Sequence, residues 1–245
     1  MSSFKKYNAK DFEEYIKNIK ILRKVNKIQI HHTYSPSYKQ FTGDNHNALQ
    51  EGMRNCHIKT NGWSDIAQHF TIFPDGIIMS GRSLEMVPAG IKGANTGAIA
   101  IECVGNFDRG ADTMTKEQKD AIVSVLKALL KKFSLSPKES IIYHAWWTSS
   151  GKSLGDYKKG ESCKTCPGTN FFGGNTKKAF TENLLPLLDK AVPSLKSVDK
   201  INDIVWELIN AGIVTDGKLW LSKCEEDINV YHLCKKMANY LRGTL

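Results

Sequence analysis

Hydrophobic positions recur every three or four residues over 9–24, where Phe12, Tyr15, Ile16, Ile19 and Leu22 share one side, with Lys and Glu between them. That spacing predicts an amphipathic helix. Asn8 supplies a cap for its first turn, with Asp11 three residues on. The period then drops to two. Over 27–33, Ile28 and Ile30 face one way and Gln29 and His31 the other, which predicts a strand that Ser35-Pro36-Ser37 breaks. A second helix is predicted over 47–57, carrying Leu49, Met53 and Cys56. Residues 69–73 and 77–80 flank Pro74-Asp75-Gly76 and predict a hairpin. Residues 98–104 form an apolar strand holding a single acid, Glu102. The clearest helix is 115–133, with Thr115 and Gln118 as a capping box and a stripe of Ile122, Val125, Leu126, Leu129, Leu130 and Phe133. A short strand over 141–144 runs into Ala145-Trp146-Trp147.

Residues 148–175 are rich in Gly, Ser and Lys and nearly without period, so they read as a long functional loop. A helix over 176–188 closes the first part of the chain. Beyond Pro193 only helical patterns follow, over 198–211 (ended by Gly212), 218–221 and 230–241. The expected fold class is α/β: a central mixed β-sheet flanked by helices over 1–190, with a small all-α module over 194–245.

Composition narrows the function. The 245 residues hold 34 Lys+Arg against 25 Asp+Glu. Residues 191–245 carry seven of each sign, so the whole excess of nine sits in the first part. A cationic body suits an anionic partner, whether nucleic acid, a membrane surface or an acidic polymer, and composition does not choose among them. Nucleic acid is disfavoured, because no RNP-like aromatic set and no Arg-rich recognition helix occurs. No apolar run approaches the ~18 residues of a membrane span, so stable membrane insertion is not expected. Nor does the N-terminus resemble a secretory signal, which leads to the expectation of cytoplasmic synthesis. Six cysteines in a chain of this length and context are expected to be mostly thiols.

Four polar features sit where an apolar strand or its end would not waste them: His31-His32, Glu102, His144, and Cys166 in Cys163-Lys164-Thr165-Cys166. Each has an ordinary explanation. A strand histidine is often a hydrogen-bonded core residue, a lone C-x-x-C is often two plain cysteines, and Glu102 on an edge strand would simply meet water. Together they suggest a mononuclear zinc site. Catalytic zinc takes three ligands from His, Cys and carboxylate and leaves a position for water. A carboxylate such as Glu102 suits proton transfer and a cation such as Lys164 suits an oxyanion.

Several motifs in order resemble the zinc-dependent N-acetylmuramoyl-L-alanine amidases of the peptidoglycan-recognition-protein-like type. They are Ile28-Gln29-Ile30-His31-His32-Thr33, then Trp63 through Phe70 with Pro74-Asp75-Gly76 and Gly81-Arg82, then Asn95 through Glu102, Tyr143-His144 and Lys164 through Gly168. The nearest likeness is to phage or prophage endolysins of Gram-positive hosts. The resemblance implies one Zn2+ held by His31, His144 and Cys166, with Glu102 working on the zinc water and Lys164 stabilising the oxyanion. His32 replaces His31 if the strand faces the other way. The resemblance implies hydrolysis of the amide between the lactyl group of N-acetylmuramic acid and L-alanine, with peptidoglycan as partner and release by a holin-type route. The alternative is a muropeptide-binding protein of the same fold that does not cleave. Gln68 stands where one branch of the family has a catalytic tyrosine. Gln68, Asn95 and Trp146 are expected at the substrate groove, Trp146 alternatively as packing, while Trp63 and His69 are expected as structural supports and Cys163 as a bystander. The 194–245 module is expected either to cap the domain or to serve wall targeting or dimerisation.

Overall fold

The computed structural model describes residues 4–189 and, of the remainder, 204–205, 208–226, 230, 233–234 and 236–237. The chain divides into two compact units, Met1–Asp189 and Lys190–Leu245.

The first unit is built on a six-stranded mixed sheet. Its strands are β1 (Lys6–Tyr7), β2 (Lys27–His32), β3 (Phe70–Ile72), β4 (Ile78–Ser80), β5 (Ala98–Cys103) and β6 (Ile141–Tyr143), in the order β1-β4-β3-β5-β2-β6. β3, β5, β2 and β6 run parallel, while β4 is antiparallel to both β1 and β3. Parallel strands need covering on both faces, and every residue of β2 from Ile28 to His32 is buried. Ile28, Ile30, Ile99, Ile101, Phe70 and Ile72 join one core with Phe12 and Ile16 of α1 (Ala9–Asn18) and Ile122, Val125, Leu126 and Leu129 of α3 (Lys116–Phe133). α1 and α3 pack against each other. Each of these side chains contributes about 1.5–3 kcal/mol by leaving water. Between them in sequence comes α2 (His46–Asn55), continued by a π-helical turn, Cys56–Thr60.

The predicted elements form, with instructive differences at their ends. Asn8 caps α1 by accepting the Asp11 N–H at 2.9 Å. The helix stops at Asn18 rather than running to 24, and Leu22 is 92% exposed. Arg23 explains the early stop. Its guanidinium donates to the carbonyls of Leu84 and of Ala98 (2.8 Å for the latter). The Leu22 and Arg23 N–H groups meanwhile bind the Glu85 carboxylate at 2.8 and 3.3 Å. A helix continued through 22–23 would withhold those backbone donors.

The hairpin turns where expected. Gly76 has φ +83°, and its Cα faces the Glu117 carbonyl at the start of α3, so the turn needs a residue without a Cβ. At the α3 N-terminus only half of the capping box is present. Thr115 accepts the Gln118 N–H at 3.2 Å. The Gln118 side chain instead turns inward, donating to Ile72 O and Val104 O at 2.9 Å each and accepting from the Tyr38 hydroxyl at 2.6 Å. β1 was not predicted, since two residues carry no period.

Residues 148–170 hold no helix or strand beyond an isolated bridge between Trp147 and Ser153. The helical stretch that follows runs through Lys177–Ala179, Phe180–Leu184 and Leu185–Asp189. In the second unit, Ile204, Val205, Leu208, Val214 and Cys234 form a small core, and a helix spans Gly217–Glu226. The expected helix over 198–211 is seen at 204–205 and 208–210. Residues 198–203, 206–207, 231–232, 235 and 238–241 of the expected helices lie outside the described residues.

Candidate metal centre

Parallel strands present their carboxyl ends at one edge of a sheet, where ligand sites collect. Here β2 and β5 end side by side, with His31 in register with Glu102, and Glu102 in register with Thr71 of β3. His144 follows β6 directly. Glu102 therefore stands on a central strand, not on an edge, and lines an open cleft of about 580 Å³ with His31, His144, Lys164 and Cys166.

One ligand atom each from His31, His144 and Cys166 lie within 4.8 Å of one another. His31 Nδ1 is 3.5 Å from Cys166 Sγ. The His31 and His144 rings meet edge to face, 5.1 Å between centroids. Cys166 reaches this point because its loop is pinned from several sides. Its carbonyl accepts the Ala145 N–H at 2.7 Å, Asn175 Nδ2 donates to Thr165 O at 2.8 Å, and Asp108 accepts from both Thr165 Oγ1 (2.9 Å) and Thr169 N (3.0 Å). His32 points elsewhere: its Nδ1 accepts the Phe107 N–H at 3.1 Å, and it is outside the three-residue group.

The electrostatics suit a cation. Burial is the main cause that holds both imidazoles neutral, pushing His31 well below its usual range, with His144 and Lys164 adding to it. His144 falls to about 4 through burial and then Lys164. Burial followed by the neighbouring Glu102 raises the Cys166 thiol far above its usual range, an effect that a divalent ion in the triangle reverses. Two neutral imidazoles and one sulfur, His31 and Cys166 buried and His144 half-buried, form a donor set that fits zinc. Burial lifts Glu102 to about 8, opposed by Lys164.

Three other expected residues lie differently. Gln68 lines the cleft but is 1% exposed, donating to Thr71 Oγ1 at 2.9 Å, with its Oε1 buried and unpartnered. Asn95 does not line the cleft: its Oδ1 accepts from Gly90 N, Ile91 N and Gln29 Nε2 at 3.0, 2.8 and 3.2 Å. Trp146 takes the packing alternative. It is buried against Tyr143, 4.6 Å between centroids, and donates from Nε1 to Asn175 O at 2.7 Å. Trp63, expected as a support, is 37% exposed in the cleft wall and lies against His57, 5.0 Å between rings. Tyr34, His57 and Asn61 also line the cleft without having been singled out. His69 is structural: Nδ1 accepts the Ala100 N–H and Nε2–H donates to Met86 O, both at 2.9 Å.

Fold and site define an α/β protein with a two-histidine, one-cysteine donor set at the carboxyl ends of its parallel strands. The chain belongs to the N-acetylmuramoyl-L-alanine amidase family, whose sequence profile matches residues 22–169. It is 30% identical over 86 residues to the N-acetylmuramoyl-L-alanine amidase of Homo sapiens, covering 35% of this chain and 15% of that protein. It is 32% identical over 89 residues to the endolysin of Enterobacteria phage K11, covering 35% of this chain and 57% of the endolysin. The matched stretch thus spans less than two thirds of either relative. In fold it is similar to Drosophila peptidoglycan-recognition protein LB, with a TM-score of 0.50 at 21% identity over 68% of this chain and 86% of that one.

Proposed function

We propose that the chain is a zinc-dependent peptidoglycan hydrolase that cleaves the amide between the lactyl group of N-acetylmuramic acid and L-alanine. The observation that carries this reading is the convergence of His31, His144 and Cys166 within 4.8 Å in a cleft that Glu102 and Lys164 also line. These three residues would hold the ion, which when bound supplies Lewis acidity and a water made acidic near pH 7. Glu102 takes the proton of the attacking water on its carboxylate and returns it to the departing amine nitrogen. Burial raises its proton affinity to about 8, and a divalent cation held beside it would favour the ionised carboxylate that accepts the proton. The Lys164 ammonium faces the oxygen on which charge develops. Gln68 has no acid or base function, and its buried amide braces Thr71 behind the cleft wall.

The substrate in this reading is Gram-positive peptidoglycan, approached by a cationic body that is also drawn to anionic wall polymers. The chain acts as a phage- or prophage-type endolysin, made in the bacterial cytoplasm and released to the wall at lysis. Residues 194–245 serve wall targeting or self-association.

Mass spectrometry of digested cell walls tests the bond. The expected products are glycan strands with intact lactyl groups and peptides with free L-alanine amino termini, from protein carrying one zinc per chain. Cys166→Ala and His144→Ala should lose both metal and hydrolysis. Wall binding without cleavage by zinc-loaded protein would instead support the non-hydrolytic alternative.

A further inference from the structure

Gln29 is an odd residue for its position. It sits in the middle of β2 with parallel neighbours on both sides, and it is fully buried. A buried carboxamide is tolerated only where its donors and acceptor are all used.

Both ends of this one are engaged. Gln29 Nε2 donates to Ala94 O at 3.1 Å and to Asn95 Oδ1 at 3.2 Å. The Asn95 carboxamide is itself oriented by two backbone donors, Gly90 N and Ile91 N, at 3.0 and 2.8 Å. Backbone groups have fixed roles, so they decide which atom of each amide is oxygen. The Gln29 oxygen then faces His31 Nε2 at 3.4 Å. An amide oxygen only accepts, so the His31 ring carries its hydrogen on Nε2. Its other nitrogen, Nδ1, is left with a lone pair directed at Cys166 Sγ, 3.5 Å away.

Gly90 completes the arrangement. A Cβ there would stand 2.2 Å from Gln29 Oε1 and 2.8 Å from His31 Nε2. The loop at 90–91 therefore lies directly over the Gln29–His31 contact, and only glycine leaves room for it.

We propose that Gln29 is a positioning residue for the metal ligand His31: its carboxamide oxygen accepts the hydrogen bond of Nε2–H and thereby turns Nδ1 toward Cys166 and His144. The proposal rests on the zinc reading above. Asn95 acts one step further out, by clamping the Gln29 amide and the 90–91 loop together. Partners of this kind fix the tautomer and orientation of a ligating histidine, and removing one weakens metal affinity on the order of 10- to 100-fold.

Zinc affinity, measured by competition with a chromophoric chelator, separates this proposal from the reading beneath it. The wild-type chain should bind one zinc; failure to do so sinks the zinc reading itself. Given wild-type binding, Gln29→Leu should weaken zinc on the order of 10- to 100-fold. The thiolate-to-cobalt absorption of the cobalt-substituted protein should shift as well. Gln29→Glu restores an acceptor toward Nε2 and should bind at least as tightly as wild type. A folded Gln29→Leu protein with unaltered zinc affinity and cobalt spectrum overturns the proposal. A second measurement needs no variant. Long-range nitrogen–proton NMR of the zinc-loaded wild type should show His31 protonated at Nε2 and metal-bound at Nδ1. The reverse assignment overturns the proposal even if Gln29→Leu does not fold.

Discussion

Two side chains in this fold, one half-buried and one buried, illustrate how a residue's role follows from what its polar atoms touch. Glu102 and His69 both sit beside the same strand edge, but Glu102 opens onto the cleft while His69 is closed off by Ala100 N and Met86 O. Glu102→Gln keeps the shape and removes the proton relay. It should retain zinc and lose hydrolysis by about 10²- to 10⁴-fold, read as turnover on a soluble muramyl-peptide beside metal content. Unchanged turnover would return Glu102 to a structural role. His69 makes a prediction about stability. Burial, partly offset by its bond to Met86 O, lowers its proton affinity to about 3. Above about pH 6.5 neither the folded nor the unfolded chain protonates this ring, so stability there does not depend on it. As pH falls from 6.5 toward 3, only the unfolded chain takes the proton, and folded stability drops. The expected loss from this group is about 2 kcal/mol between pH 7 and 5. Urea midpoints across that range should fall less steeply for His69→Gln than for wild type. Equal slopes would show that the buried ring is protonated in the fold.

Elements were legible in the chain where a period persisted. α3 shows this best, since eighteen residues of helical spacing and a capping threonine left little room for another outcome. Thr115→Ala should cost about 1 kcal/mol, measured by urea denaturation, with the cleft chemistry unaltered. Ends and turns were less legible, because tertiary partners set them. The stop of α1 at Asn18 depends on Arg23 meeting the Ala98 carbonyl, 75 positions away. Gln118 has a capping residue's spacing, but two carbonyls on β3 and just past β5 claim its amide. The site was legible in its chemistry and illegible in its support. His31, His144 and Cys166 are of residue types able to ligate a metal, and the motif order aligned them. Asn95 and Trp146 were drawn toward the groove by their position in the motifs, while their hydrogen bonds hold a loop and a core. Gln29 gave a faint signal, a polar residue facing the same way as His31 in an otherwise apolar strand. Trp63 gave none, because exposure is decided by what the π-helical turn at Cys56–Thr60 leaves uncovered.

At the scale of the whole molecule, charge and chemistry are separated. The donor atoms lie in a triangle at the cleft, whereas the cationic excess belongs to lysines along the surface of the first unit, among them the exposed Lys158 and Lys159 of the loop that precedes Cys166. Residues 191–245 carry equal numbers of acidic and basic residues and add nothing to that excess. No helix among the described residues is long and apolar enough to cross a membrane. In the proposed function the cationic surface draws the chain to an anionic wall. Such attraction is screened over about 10 Å at 0.1 M salt and about 3 Å at 1 M. Chemistry inside the cleft is shielded from that screening. Raising sodium chloride from 0.05 to 0.5 M should therefore release most of the protein from sedimented cell walls, while its turnover on a small soluble muramyl-peptide stays within about twofold. Retention that ignores salt would locate wall recognition in specific contacts, and the place to seek them would then be the charge-balanced residues beyond 190.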